Sequence, residues 1–345
     1  MDDILVQEIK EQPQIIENLL AAESGNVLRI ANSLKEKFKY IIIAARGSSD
    51  NAARYAQYLL GVYNHFQVAL ATPSLHTIFQ APPDMSEALV IGISQSGQSP
   101  DIVSVLVNAK KQGCPTLGIC NDLKSPLAKT SDFLIPLHTG KEKAVAATKT
   151  YTSSLASLAL LSIGFHPDNN RQSELWRLPD LLRKTLEMTM PRMSATVRYR
   201  YIEHSVTIGR GFNYSTAFEI ALKVKELTRV VCVPYSSADF KHGPIATVYK
   251  GFPIIIIAPK GLMYDHINDF SLKMHSLGAE LITISNQPEI LKYSQLGFEL
   301  PNYLPEWLSP ISAAIPGQLF ARQLAMEKGL DIDHPTGLTK VTETF

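Results

Sequence analysis

The sequence predicts an α/β protein with two doubly wound parallel sheets. Short runs rich in Val and Ile alternate with stretches of helical periodicity. These runs are apolar on both faces, as strands of a helix-covered parallel sheet are. The pattern also occurs twice along the 345 residues, a length that suits two domains. We therefore expect two tandem α/β domains, preceded by a helical segment and followed by an extended tail.

The repeat rests on matched residues at the ends of predicted strands. The first two pairs of matched groups are separated by the same number of residues along the chain. The third pair is separated by one residue more. Three matches in one order are typical of two copies of one unit. The matched residues are Arg46-Gly47 with Arg210-Gly211, then Ile93, Gly97 and Asp101 with Ile257, Gly261 and Asp265, and finally Gly113, Ile119 and Asn121 with Gly278, Ile284 and Asn286.

The alternation assigns each element in order. In the first copy, strands are predicted at 40–46, 67–72, 88–94, 115–120 and 133–137, with helices at 49–63, 100–112 and 148–163. In the second copy, strands are predicted at 205–209, 230–235, 252–258, 280–285 and 298–301, with helices at 214–228, 264–277 and 310–328. The resulting segments are a helical segment 1–38, a first domain 39–165, a connector 166–198, a second domain 199–330 and a tail 331–345.

Composition excludes several classes of partner. The chain has 33 basic and 32 acidic residues and a net charge of +1, so no global field recruits nucleic acid or a membrane surface. The N-terminus lacks the basic and apolar segments of a secretion signal, and we expect a cytoplasmic protein. Cys114, Cys120 and Cys232 lack metal-ligand spacing, which favours buried reduced thiols.

The most informative segment is Ser94-Gln-Ser-Gly-Gln-Ser99. It follows the apolar run 88–93 and precedes a helix that opens at Pro100. Hydroxyl donors beside the free N–H groups of a helix N-terminus are typical of a phosphate cradle. The segment lacks the glycine pattern of a nucleotide loop, so a small phosphorylated metabolite is favoured. The alternative interpretation is a serine-rich surface turn.

Four further segments carry candidate groups, each with a structural alternative. Ser49 could contact a ligand or cap a helix. Lys223 and Glu226 share a helix face, which is also the spacing of a surface ion pair. His242 lies beside Gly-Pro in a turn that suits a proton shuttle, although a lone His is more often structural. Lys340 could offer an amine for carbonyl chemistry or be a solvated terminal charge.

Several motifs together resemble the double sugar-isomerase (SIS) domain family. Over essentially its whole length, the chain is similar to the isomerase half of the glutamine–fructose-6-phosphate aminotransferases. The motifs are Ser94-Gln-Ser-Gly, Val145-Ala-Ala-Thr-Lys149, Ala221-Leu-Lys-Val-Lys-Glu226, Lys241-His-Gly-Pro244 and Asp333-His-Pro335 with Leu338-Thr-Lys340. The resemblance implies two flavodoxin-like SIS domains, a hexose-6-phosphate ligand, a homodimer with shared active sites and no cofactor.

The resemblance also implies roles for individual residues. Ser94, Gln95, Ser96 and Ser99 would bind the phosphate, while Ser49, Lys223 and the backbone of Val145 would contact the sugar. Glu226 would move a proton between C1 and C2. His242 would assist ring opening from the partner subunit, and Lys340 would face the carbonyl carbon. The first domain would thus hold the phosphate, the second would supply acid–base groups, and the tail would fold over the first domain's strand ends and close the site.

Departures from the aminotransferases favour a stand-alone deaminase. Ala147 stands where those enzymes have a serine, and Ser99 replaces a threonine. No glutaminase half is recognised in the sequence, so we expect no ammonia release from glutamine. Four motifs are similar to SIS-type glucosamine-6-phosphate deaminases. Those four are Arg46-Gly-Ser-Ser-Asp50, Gln98-Ser-Pro-Asp101, Glu142-Lys-Ala-Val-Ala-Ala-Thr-Lys149 and Ser236-Ser-Ala-Asp-Phe240.

The expected activity is therefore conversion of glucosamine-6-phosphate to fructose-6-phosphate and ammonia. Another aldose–ketose isomerase and a fructosamine-6-phosphate deglycase remain alternatives. A non-catalytic sugar-phosphate sensor is the alternative from a different class. The presence of Glu226, His242 and Lys340 weighs against the sensor, as does the lack of a DNA-binding helix-turn-helix before the first domain.

Overall fold

A computed structural model describes residues 3–340. Within this range the chain divides into two compact units. The N-sheet unit comprises residues 14–142, 149–177 and 339–340, and the C-sheet unit comprises 3–13, 143–148 and 178–338. Residues 1–2 of the predicted helical segment and 341–345 of the predicted tail lie outside the described residues. No helix between residues 3 and 340 is long and apolar enough to cross a membrane.

The N-sheet unit contains a parallel sheet of five strands in the order β2-β1-β3-β4-β5. The central strand β3 is buried at all seven positions, as its run of apolar residues predicts. A side chain at Gly92 in β3 would place Cβ 2.7 Å from Leu127 Cδ1, so this strand packs closely against a helix. The strands are β1 (Tyr40–Ala44), β2 (Val68–Leu70), β3 (Ala88–Ser94), β4 (Thr116–Cys120) and β5 (Phe133–Pro136).

Helices cover this sheet and bury its apolar residues. Val90, Ile102, Val105 and Leu106 are at most 1% exposed and belong to its core. Helix α1 runs through Ile4–Leu34 and contributes residues to both units. The other helices of this unit are α2 (Gly47–Asn64), α3 (Ser74–Thr77), α4 (Pro100–Lys111), α5 (Pro126–Thr130), α6 (Lys149–Phe165) and α7 (Asn169–Trp176).

The C-sheet unit repeats the same parallel topology. Its order, β7-β6-β8-β9-β10, corresponds strand for strand to that of the first sheet. Gly47 and Gly211, which the repeat predicts to be equivalent, both have positive φ, at 54° and 60°. The two predicted doubly wound sheets are thus confirmed. The strands are β6 (His204–Gly209), β7 (Val231–Ser236), β8 (Pro253–Ile257), β9 (Glu280–Ser285) and β10 (Leu296–Glu299).

Two helices of the C-sheet unit pack unusually close together. A Cβ at Gly317 in α12 would lie 2.3 Å from Ile220 Cγ1 in α9, so one face of α9 is covered by α12. The α-helices are α8 (Leu178–Thr189), α9 (Tyr214–Thr228), α10 (Tyr264–Ser276), α11 (Pro288–Leu291) and α12 (Ser309–Glu327). Short 3-10 helices lie at Met190–Tyr199, Gly211–Asn213, Asp239–Lys241, Pro244–Thr247 and Glu306–Leu308.

The three cysteines are buried and form no disulfide, as predicted. Burial raises the pKa of the Cys232 thiol, although hydrogen bonds from Ser205 and Thr207 lower it in part. Burial likewise raises the pKa values of Cys114 and Cys120. Each thiol is therefore kept protonated near neutral pH.

Candidate active site

The loop between β3 and α4 contains the predicted phosphate cradle. Ser94 is buried, and its Oγ accepts a hydrogen bond from the Gly97 N–H at 3.1 Å. Ser96 Oγ accepts from the Gln98 N–H at 3.2 Å. Gly97 has φ +63°, and a Cβ there would lie 2.2 Å from Ser125 Oγ. The loop therefore needs glycine to turn tightly toward α4.

The N-terminus of α4 retains groups that suit an anion. Ser99 occupies the N-cap position, but its hydroxyl makes no capping hydrogen bond. The nearby carboxylate of Asp101 is buried and pairs with Arg46 Nε at 2.7 Å. Because Arg46 neutralises Asp101, the positive end of the helix remains available to a phosphate.

Ser49 lies in the first turn of α2, close to the end of β1. The N-cap residue of α2 is Arg46, so the structure does not support the alternative that Ser49 caps this helix. Strands β1 and β3 are neighbours, with Ala44 paired to Gly92. The strand order reverses between these two strands, and ligands of doubly wound sheets bind at such a point. Ser49 and the loop 94–99 therefore flank the expected ligand position.

Glu142 anchors the end of the tail within the N-sheet unit. Its side chain has no exposed surface, and its Oε2 lies 2.7 Å from Lys340 Nζ. The Thr150 backbone N–H and hydroxyl also donate to this carboxylate, at 3.1 and 2.9 Å. Lys340 is 24% exposed and held by an ion pair, which differs from a freely solvated terminal charge.

Lys223 is the centre of a buried charged cluster on α9. It is 1% exposed, and its Nζ lies 2.6 Å from Glu226 Oε2 and 3.5 Å from Glu219 Oε1. Glu219 is buried as well, whereas the Glu226 side chain keeps 22% of its surface. The alternative of a solvated surface pair is therefore wrong, because the Lys223 side chain is buried. Two carboxylates face one ammonium, and the partly exposed one is Glu226.

Glu226 borders a cavity of about 290 Å³ in the C-sheet unit. One wall is formed by α9 and the residue that follows it, Arg229, and the opposite wall is formed by the tail between Leu330 and Leu338. Arg229 donates a hydrogen bond to Thr336 Oγ1 at 2.7 Å and so ties the tail to the end of α9. Glu226 is thus a partly exposed residue beside a cavity.

The course of the tail differs in part from the expectation. Residues 331–338 belong to the C-sheet unit, where Asp333 Oδ1 accepts from the Ile4 N–H at 3.2 Å. Only residues 339–340 belong to the N-sheet unit, where the tail was expected to lie over the strand ends. The hydrogen bonds of Thr336 with Arg229 and of Asp333 with the Ile4 N–H hold this part of the tail in the C-sheet unit.

Val145 and His242 both belong to the C-sheet unit. The Val145 segment is held by the buried Glu8, whose carboxylate accepts from the N–H groups of Lys143 and Ala144 at 2.6 and 3.2 Å. His242 is exposed, and Gly243 beside it has φ +114° and open space around its α-carbon. His242 does not line the Glu226 cavity.

The structure therefore groups the predicted site residues into two sets. Sequence reasoning missed Glu8, Glu142 and Glu219 as supporting carboxylates. The spacing of Glu219, Lys223 and Glu226 places all three on one helix face and could have revealed Glu219. The N-sheet set is Ser49, Ser94, Gln95, Ser96, Ser99 and Lys340, and the C-sheet set is Val145, Lys223, Glu226 and His242. Across residues 3–340, no group of three or more His, Cys, Asp or Glu side chains could hold a metal ion.

The chain is similar to known proteins over nearly its whole length. A glutamine–fructose-6-phosphate aminotransferase (isomerizing) of Pyrococcus horikoshii is 32% identical over 346 residues, covering 98% of this chain and 57% of the relative. The chain thus spans just over half the length of the curated relatives that it matches.

Solved structures share the fold. The C-terminal domain of a glucosamine-fructose-6-phosphate aminotransferase from Francisella tularensis is 28% identical, with a TM-score of 0.89 over 97% of this chain and 99% of that one. A glucosamine-6-phosphate deaminase from Thermotoga maritima is 21% identical, with a TM-score of 0.77 over 99% and 100% of the two chains, and shows the fold alone. The SIS domain model matches residues 35–164 and 200–326, so the chain belongs to the SIS-domain family and contains two such domains.

Proposed function

We propose that this chain is a phosphosugar isomerase that acts on an amino sugar, converting glucosamine-6-phosphate to fructose-6-phosphate and ammonia. The observation that carries the proposal is the charged cluster on α9. A buried Lys223 lies between two carboxylates, and the more exposed one, Glu226, borders a cavity. Proton transfer between adjacent carbons requires a positioned base of this kind.

The hydroxyls and amide of Ser94, Gln95, Ser96 and Ser99 bind the phosphate, together with the first turn of α4. Ser49 contacts the sugar from the first turn of α2. The proposal is supported by the glycine-dependent turn at Gly97 and by the Ser99 hydroxyl, which is not used as a helix cap. Binding through neutral donors and a helix end suits a phosphate that must enter and leave during each turnover.

The chemical step follows from the acid–base groups. His242 opens the pyranose ring. Glu226 removes the C2 proton of the aldehyde form and delivers a proton to C1, while Lys223 contacts the sugar hydroxyls and Lys340 faces the carbonyl carbon. The C2–H bond becomes a C1–H bond, the C1 carbonyl oxygen takes a proton to become a hydroxyl, and the amine at C2 gives up a proton to become an imine. Water then hydrolyses the imine, which yields fructose-6-phosphate and ammonia.

We also propose a homodimer whose active sites are shared and which works in the cytoplasm. The exposed His242 is absent from the lining of the Glu226 cavity, and this supports its entry into the site of a second subunit. Residues 39–165 then bind the phosphate, residues 199–330 supply Glu226 and Lys223, and the tail closes the site. Three protonated, unpaired thiols fit a reducing compartment.

One assay tests the activity. The purified protein is incubated separately with glucosamine-6-phosphate, a fructosamine-6-phosphate, fructose-6-phosphate and tagatose-6-phosphate, and ammonia and hexose phosphates are measured independently. We expect ammonia and fructose-6-phosphate in equal amounts from glucosamine-6-phosphate. Isomerisation without ammonia would favour a plain aldose–ketose isomerase, and turnover restricted to the fructosamine would favour a deglycase. Binding without turnover of any substrate would support the sensor alternative.

A further inference from the structure

The second sheet has a counterpart of the phosphate cradle, and a carboxylate of the chain itself lies in it. The loop after β8 leads into α10, as the loop 94–99 leads into α4. Two backbone N–H groups of this loop donate to the side chain of Glu306, which comes from a later part of the chain. The Leu262 N–H donates to Glu306 Oε2 at 2.9 Å, and the Met263 N–H donates to Oε1 at 3.3 Å. These N–H groups belong to the two residues before Tyr264, the first residue of α10. The N-terminus of a helix attracts negative charge.

The loop is shaped closely around this carboxylate. A Cβ at Gly261 would lie 2.1 Å from Glu306 Cδ and 2.3 Å from Glu306 Oε2. No side chain larger than hydrogen fits at this position while Glu306 keeps its place. The backbone of Glu306 is also held in place, because its carbonyl accepts a hydrogen bond from Ser309 Oγ at 2.6 Å.

The two loops occupy equivalent places in their sheets. Both follow the central strand of the same five-strand order, and Gly261 corresponds to Gly97 in the repeat. In each sheet, an asparagine that follows the next strand forms a hydrogen bond with the loop. In the first sheet, the Asn121 N–H donates to the Gln95 carbonyl; in the second, Asn286 Oδ1 accepts from the Lys260 N–H. Ser94, Gln95 and Ser96 of the first loop correspond to Ala258, Pro259 and Lys260 in the second, so the second loop lacks those two hydroxyls.

We propose that Glu306 is a built-in anion that takes the place of a phosphate in the second SIS domain. The second cradle is thereby closed, and each chain binds phosphate at a single position, in the first domain. A carboxylate and a phosphate oxygen pair accept the same backbone N–H groups, which is why one can replace the other. The inference rests on the proposed function only in naming phosphate as the ligand of the first loop.

The test uses inorganic phosphate as the probe. Wild-type protein is titrated calorimetrically, and we expect one phosphate per chain. In Glu306→Ala the N–H groups lose their partner, so the melting temperature should fall in phosphate-free buffer. Added phosphate should raise it more than in the wild type, and chloride of equal ionic strength should not. Glu306→Gln keeps the shape and fills the cradle, so it should melt below the wild type without gaining a phosphate response.

Several outcomes would overturn the inference. Two phosphates per wild-type chain would show that the second cradle is open, and an unchanged phosphate response in Glu306→Ala would show that it is no anion site. If Glu306→Ala does not fold even in phosphate, a Glu306→Gln variant as stable as the wild type would contradict the role of the charge. Ser96→Ala in the same titration reports on the first loop alone, so failure of the proposed phosphate site is recognised separately.

Discussion

The Lys223 ammonium lies 2.6 Å from one carboxylate, that of Glu226, in a part of the C-sheet unit from which solvent is almost excluded. A buried charge that loses its partner destabilises a protein by about 3–5 kcal/mol. Lys223 has a second buried carboxylate, Glu219, at 3.5 Å. Loss of the Glu226 charge therefore leaves Lys223 compensated, and this separates the stability of the fold from the chemistry of Glu226.

Glu226→Gln should abolish most turnover while the protein stays folded and binds substrate. The amide keeps the shape of the side chain but cannot take the C2 proton, so kcat should fall by about two orders of magnitude or more. Steady-state kinetics and substrate titration measure the two effects. Glu299→Gln removes an exposed carboxylate and serves as the control. Near-normal turnover of Glu226→Gln would mean that the Lys223–Glu226 pair is only structural.

Ser96→Ala should weaken binding of a hexose-6-phosphate by roughly 1–3 kcal/mol, because a charged hydrogen bond to the phosphate is lost. The Ser96 Oγ also accepts from the Gln98 N–H, so circular dichroism should check that the fold is kept. Isothermal titration with fructose-6-phosphate measures the affinity. Ser86→Ala, at an exposed serine of the same unit, is the matched control. An affinity equal to that of the wild type would remove Ser96 from the phosphate site.

Lys340→Met tests whether the tail lysine has a role beyond its ion pair. The variant leaves the buried Glu142 without its ammonium, so both stability and turnover should fall. Adding Glu142→Gln removes the charge that Lys340 neutralised and should restore the melting temperature. Turnover should stay low in the double variant because the amine is still missing. Recovery of turnover together with stability would make Lys340 a structural anchor, and Lys292→Met controls for loss of an exposed lysine.

Mixed dimers should show whether His242 acts in the partner's site. His242→Ala and Glu226→Gln are each expected to be inactive. When subunits of the two are exchanged, one of the two sites in each mixed dimer regains both wild-type groups, and activity should partly return. Each variant exchanged with itself is the control. If mixed dimers form, as shown by differently tagged subunits, and activity does not return, each site is built from one chain.

The three thiols should resist modification in the folded protein. Burial raises the pKa of each, so the reactive thiolate is rare at pH 8, and the side chains are also inaccessible. A disulfide reagent should label none of them natively and all three after denaturation. Folding raises these pKa values above the ordinary 9.0, so the protonated thiols contribute fully to the free energy of unfolding below about pH 9. This contribution is lost as the pH rises further. Rapid native labelling at pH 8 would contradict this.

Most of the fold could be predicted because strand and helix periodicity is local. The run at 88–94 forms the buried strand β3 with the predicted bounds, and helix 214–228 forms α9 with the predicted bounds. The repeat also predicts the common strand order, since equivalent sequences bury equivalent faces. The short helices α3, α5 and α11 were missed, because four or five residues carry too little periodicity to be recognised.

The sequence by itself determined the two sheets, the position of the proposed anion-binding loop and the residues proposed for catalysis. Only the tertiary structure decided which charges are buried. The three-residue spacing of Lys223 and Glu226 is the same for a solvated pair and a buried one, and only the folded chain shows that the Lys223 side chain is buried. The contacts of Glu142 with Lys340 and of Glu306 with Leu262 join residues far apart in the chain. Such contacts depend on how distant segments pack, and no local pattern records them.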